Sequence, residues 1–153
     1  MSILSPGWDW YTSMRARILL ADQNPSFLQF LQQVLGGEFD VVAAVSDGSK
    51  AVQLTQELTP DVVLLGLAFG ACGGLEVTRR MREVIPGVKV INLSMHSDRA
   101  YVEEALKAGS SGFLLKSAER AELVTAILQV IGGEIYVGEG LLRPGARDLR
   151  PSC

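Results

Sequence analysis

The sequence predicts an α/β protein in which a doubly wound, five-stranded parallel sheet is flanked by helices on both faces. Three observations predict it. Short apolar runs rich in β-branched residues alternate with segments of helical periodicity along most of the chain. The runs begin at residues 17, 39, 61, 88 and 111, so successive starts lie 22, 22, 27 and 23 residues apart, room for one strand, one short helix and two short loops. Runs such as VVLLGL are apolar on both faces, as strands are when helices cover both sides of a parallel sheet.

The first strand is predicted over Arg17–Ala21. The helix after it carries Phe27, Phe30, Leu31, Val34 and Leu35 as an apolar stripe. Asn24 suits its N-cap, Pro25 its first turn, and Gly36-Gly37 a left-handed stop. The second strand covers Phe39–Val45, and its helix presents Ala51, Leu54, Thr55 and Leu58 before Pro60. Asp61–Leu65 form the third, followed by a helix from about Gly74 to Val84 that shows Leu75, Thr78, Met81 and Ile85 before Pro86. Val88–Leu93 form the fourth, with Val102, Ala105 and Leu106 on the next helix before Gly109. The fifth covers Ser111–Leu115; its helix is opened by Ser117 and carries Val124, Ile127, Leu128 and Ile131 before Gly132-Gly133. Right-handed crossovers then give a three-layer sandwich.

One domain is therefore expected over residues 15–137. Residues 1–14 form an N-terminal extension with Trp8, Trp10 and Tyr11; they either cover part of the domain, serve as an interaction arm, or lie before a true start at Met14. Residues 138–153 read as a polar tail. The chain has 153 residues, 48% hydrophobic and 20% charged, with a net charge of −3, the profile of a globular protein with a full core. Its fourteen Lys and Arg are dispersed, which argues against a nucleic-acid surface. No apolar run reaches the ~18 residues of a membrane span, and Met1 to Met14 lack a secretory pattern. With Cys72 and Cys153 the only cysteines, a cytoplasmic location is expected.

Ligands of doubly wound sheets bind beyond the carboxyl ends of the strands, near the switch in strand order. Those ends carry Asp22-Gln23-Asn24, Gly66, Ser94 and Lys116. The segments ILLADQNP, PDVVLLGL followed by GGLE, YVEEALKAGSSGFLLK and IGGEIYV resemble, in order and spacing, the receiver domain of bacterial two-component response regulators of the LuxR/NarL type. The resemblance covers roughly residues 15 to 137 and implies a flavodoxin-like fold. It also implies an acidic pair after strand one, a phosphoacceptor Asp after strand three, a hydroxyl after strand four and a Lys after strand five. Asp22, Ser94 and Lys116 match that pattern, and Phe113 stands at the switch aromatic. Two positions depart from it: Gly66 stands where the acceptor Asp would be, and Gln23 where the second acidic residue would be.

Phosphoryl transfer to a carboxylate needs that nucleophile and a Mg²⁺ held by hard oxygen ligands. Gly66 removes the first and Gln23 weakens the second, so phosphotransfer is not expected, and Mg²⁺ binding is expected to be weak or absent, with Asp22 the only retained acidic ligand. Lys116 is expected to pair with Asp22 instead. His96 and Ser94 form no nucleophile-base set, and Cys72 has no basic sequence neighbour to activate its thiol, so no enzyme is expected.

The resemblance implies a protein-binding face over about 97–131, with Tyr101, Val102, Leu106, Glu119 and Arg120 at its centre and Glu103, Glu104 and Lys107 beside them. The function expected is a phosphorylation-independent receiver in signal transduction whose partner is a signalling protein, a kinase or a regulator. A homodimer through helices one, four or five fits the same resemblance; members of that family normally carry a DNA-binding domain, which this sequence does not show, so direct nucleic-acid binding is not expected. Two alternatives stay open: a small-ligand or anion sensor using the vacated acidic pocket, and the truncated regulatory half of a transcriptional regulator.

Overall fold

The computed structural model describes residues 15–67, 73–95, 99–138 and 141. Its strands are β1 (Arg17–Ala21), β2 (Asp40–Val45), β3 (Val62–Gly66), β4 (Val90–Ser94), β5 (Gly112–Leu115) and β6 (Tyr136–Val137). Its helices are α1 (Pro25–Leu35), α2 (Gly48–Leu58), α3 (Gly73–Val84), α4 (Arg99–Lys107) and α5 (Arg120–Ile131). All strands are parallel, in the order β2-β1-β3-β4-β5-β6. The order reverses between β1 and β3, so the carboxyl ends of those two strands flank the crevice where such sheets place their sites.

The sheet has six strands, not five. Tyr136–Val137 pair with Gly112 and Phe113 at the edge of β5. Two residues are too short for a period-2 pattern to register, and the pairing is supplied by a neighbour far away in sequence. Two helix signals are also corrected. Gly36 caps α1 in right-handed geometry (φ −63°, ψ −18°), its N–H bonded to Gln32 O, so no left-handed stop is used there. Helix α5 begins at Arg120 rather than Ser117, with Glu119 at the N-cap making no side-chain capping bond. The start of α1 follows the sequence signals: Asn24 accepts from the N–H groups of Ser26 and Phe27, and Pro25 opens the helix.

Helices α1 and α5 bury Leu28, Leu31, Leu35, Leu123, Ala126, Ile127 and Val130 against one face of the sheet, with Ile18, Leu20, Leu64 and Leu114 beneath them. On the other face α2 and α3 pack Ala51, Val52, Val77 and Met81 over Leu19, Val63, Leu65 and Val90. A smaller cluster sits at the end of that face, where Val102 and Ala105 of α4 meet Leu75, Phe113 and Leu141. No helix among the described residues is long and apolar enough to cross a membrane.

The approach of α3 to the end of β3 is set by Gly74. A Cβ there would fall on the Leu67 backbone, 2.6 Å from the Gly66 carbonyl oxygen and 2.8 Å from Leu67 Cδ2. The obstacle is mostly main chain, which cannot rotate away. Gly74→Ala is expected to lower stability by about 1–3 kcal/mol, read as a shift of the urea midpoint with unchanged m-value; an unshifted midpoint would mean that α3 slides freely.

Candidate functional site

Asp22 follows directly on β1 and is buried. Its Oδ1 accepts the backbone N–H of Asn24 at 2.8 Å, so one carboxylate oxygen is used to shape the turn into α1. The other oxygen, Oδ2, lies 2.6 Å from Lys116 Nζ, with side-chain exposures of 2% for Asp22 and 12% for Lys116. Oδ2 makes no aligned hydrogen bond, so the contact acts as a charge pair. Lys116 follows β5, and its backbone N–H donates to Ser94 O at 2.8 Å, which fixes the base of its side chain to the end of β4. Its ammonium also lies 4.8 Å from the centroid of the Phe27 ring, a cation–π contact that fixes the other end. Phe27 in turn stacks on Phe30 at 6.1 Å.

Gly66 makes this pairing possible. It is the last residue of β3 and is buried beside Asp22. A Cβ at position 66 would collide with Asp22 Oδ2 and lie 2.9 Å from Asp22 Cγ. The Asp22 carboxylate therefore occupies the space into which any side chain at 66 would project. Tertiary structure brings together Asp22, Gly66, Ser94 and Lys116, as the strand-end reading requires. Ser94 is buried at the tip of β4. Gln23 is exposed at the rim of a surface cavity of ≈ 570 Å³ lined also by Asp22, Asn24, Phe27, Met95, Lys116 and Ser117. His96 and Cys72 lie outside the described residues.

A divalent cation does not fit this donor set. It would find one carboxylate, whose oxygens already hold a backbone N–H and an ammonium, beside a neutral Gln23 and a side-chain-free Gly66. Among the described residues no group of three or more His, Cys, Asp or Glu could hold a metal ion.

Of the face expected over about 97–131, residues 97 and 98 lie outside the described residues, and the rest is only partly as expected. Phe113 is fully buried among Leu75, Val102, Ala105 and Leu141. Val102 is also fully buried, so it belongs to the core and not to a binding face: it lies on the side of α4 turned to the sheet, one position from the half-buried Tyr101. Arg120 is exposed but committed to the end of α1 and the turn after it, donating to Val34 O at 3.0 Å and pairing with Glu38. Tyr101, Leu106 and Glu119 retain accessible surface. Sequence reasoning missed three contributors. Phe27, helix core by its periodicity, also supports Lys116. Leu141, in a polar segment, gave no signal. Asn92 lies in an apolar strand yet donates from Nδ2 to Thr78 Oγ1 at 3.1 Å, joining β4 to α3.

Residues 18–128 match the response regulator receiver domain model. The chain belongs to that family. Among curated relatives it is 36% identical over 125 residues to the transcriptional regulatory protein DegU of Brevibacillus brevis, covering 80% of this chain and 53% of that one. It is 32% identical over 137 residues to the nitrate/nitrite response regulator protein NarL of Escherichia coli, covering 88% and 63%. The receiver thus spans between half and two thirds of the length of these relatives. Among solved structures it is similar to a LuxR-family two-component response regulator from Aurantimonas (TM-score 0.79, 32% identity, 83% of this chain and 92% of that one). It is also similar to the signal receiver domain of the NarL regulator of Mycobacterium tuberculosis (TM-score 0.74, 32% identity, 78% and 98%). The fold and the LuxR/NarL relationship are those expected from the motifs.

Proposed function

We propose that this receiver works without phosphorylation, as a protein-interaction module whose surface is made by α4, β5 and α5. One observation carries the reading: the place of a side chain at position 66 is filled by the Asp22 carboxylate, already paired with Lys116. A receiver signals when a phosphoryl group biases two states of its output face. Without a carboxylate at 66 and with a poor Mg²⁺ site, that input is lost and the loops around the site stay in one state. The Asp22–Lys116 pair, the Lys116–Phe27 contact and the bond from Lys116 N–H to Ser94 O together hold the β1-α1 and β5-α5 loops in that state.

The partner is a cytoplasmic signalling protein, a kinase or a regulator; a second copy of the chain is another candidate, and nucleic acid is not contacted directly. If the chain is the regulatory half of a transcriptional regulator, the same face would bear on its output half. The anion-sensor alternative has the cavity beside Lys116 in its favour, but an anion there must compete with Asp22 for the ammonium, which favours the first reading.

The test is capture from the source cell's lysate with no phosphoryl donor. The wild type is expected to retain a partner, and a folded Tyr101→Ala, Leu106→Ala, Glu119→Lys variant to lose it. Capture only by a phosphorylated, acceptor-restored variant would overturn the proposal, and undiminished capture by the triple variant would move the interface to another face.

A further inference from the structure

Gly138 and Leu141, after β6, lie against the surface assigned above to partner binding. Gly138 N–H donates to Phe113 O at 2.8 Å, extending the edge of the sheet by one bond. Leu141 N–H then donates to Gly138 O at 3.2 Å and closes a turn. The turn carries the Leu141 side chain to 2% exposure among Leu75, Val102, Ala105 and Phe113, with Tyr101, Leu106, Leu115 and Val137 packed around them. Gly138 leaves room for the return: a Cβ there would lie 3.1 Å from Leu141 Cδ1 and 3.3 Å from Leu114 Cδ2.

Leu141 differs from the rest of that cluster in how it is held. Leu75, Val102, Ala105 and Phe113 stand on helices and an inner strand. Leu141 hangs from a two-residue edge strand and one turn, so few backbone bonds must open to release it. Its departure would uncover Val102 and Leu106 and remove one wall from Phe113. Beside it a cavity of ≈ 470 Å³ opens along α5, lined by Leu115, Glu119, Glu122, Tyr136 and Leu141 itself.

We propose that Leu141 is a self-supplied plug in an apolar hollow between α4 and β5, so that this side chain and a protein partner compete for one surface. This rests on the reading of that surface as the partner face, and it adds the regulation. The position of Leu141, rather than a phosphoryl group, decides whether the hollow is open and whether Phe113 is held inward. The competing partner is a segment that offers an apolar side chain to the hollow and a basic residue to the exposed Glu119.

The test uses the full chain with Leu141→Ser, and Leu141→Met as the conservative control. The serine variant is expected to keep its far-UV circular dichroism and a cooperative melt. It should bind anilinonaphthalene sulfonate where the wild type and the methionine variant do not. Amides of α4 and β5 should exchange about 10-fold faster or more while those of β1 and β3 stay protected. Uniformly faster exchange throughout the sheet, or no dye binding by a folded serine variant, would overturn the plug. If the serine variant fails to fold, native-state exchange of the wild type decides. Gly138 and Leu141 amides should open at denaturant concentrations where Leu19 and Leu64 remain closed; opening only together with those core amides overturns the proposal. None of these readouts needs a phosphoryl donor or a partner. Their failure therefore removes the plug alone, whereas phosphorylation of the wild type would remove the phosphorylation-independent reading alone.

Discussion

Replacing Asp22 by alanine is expected to destabilise the protein by about 3 kcal/mol, the scale of removing one partner from a buried ion pair. The loss has two physical parts. Lys116 would be left with its ammonium largely withdrawn from water, 12% exposed and facing the position of the missing carboxylate. The Asn24 N–H would lose its acceptor at the entrance to α1, a cost comparable to a lost cap of about 1 kcal/mol. Lys116→Met should cost about as much, because it leaves the more deeply buried Asp22 carboxylate with only the Asn24 bond, although an apolar chain of similar length keeps the contact with Phe27. The double variant separates the parts. If the pair is the main term, Asp22→Ala with Lys116→Met should be more stable than the sum of the single losses predicts, by roughly 1.5 kcal/mol or more in a double-mutant cycle. Additive losses in urea unfolding would mean that the pair contributes nothing net and that the Asn24 bond accounts for the effect of Asp22.

The second large effect is a gain of chemistry. Gly66→Asp combined with Gln23→Asp is expected to accept phosphate from acetyl phosphate in the presence of Mg²⁺, where the wild type is expected to accept none. In that step a carboxylate oxygen introduced at 66 bonds to phosphorus, the bond from phosphorus to the acetyl oxygen breaks, and acetate leaves. The two new carboxylates and Asp22 supply the hard oxygen ligands that the present donor set lacks. The geometry adds a specific expectation for Gly66→Asp alone. The new Cβ meets Asp22 Oδ2, so Asp22 must rotate off Lys116, and two carboxylates are then left face to face. The single variant should therefore be less stable than the wild type, and Mg²⁺ should raise the melting temperature of the double variant but not of the wild type. Intact mass after incubation with acetyl phosphate reads the outcome directly. Phosphate on the wild type, at Asp22 or elsewhere in the site, would sink the reading of Gly66 as the lost acceptor.

Much of the architecture was written in local pattern. Strands β1 to β5, the five helices and the order of the strand-end residues follow from run length, apolar stripes and boundary signals such as Asn24-Pro25 at the start of α1 and Gly109 after α4, whose φ of +103° only glycine adopts readily. The site was legible because it is assembled from strand ends, and the parallel topology carries all strand ends to one edge of the sheet. The pairing of Lys116 with Asp22 could be anticipated, since one buried ammonium and one buried carboxylate at the same edge have few other partners.

What the sequence left open is whatever depends on contacts between distant segments. Edge strand β6 exists only because β5 offers free backbone groups to Tyr136 and Val137. Val102 and Tyr101 are adjacent residues of one helix, and only the rotation of α4 against the sheet sends the first into the core and leaves the second half-exposed. Leu141 gives no periodic signal, yet a turn of one hydrogen bond puts it beside Phe113. Gly66 shows the division most directly. The sequence by itself determined that no side chain stands at the end of β3; tertiary structure alone decided that the Asp22 carboxylate fills the space, because a buried charge moves to the nearest opposite charge when nothing stands between them.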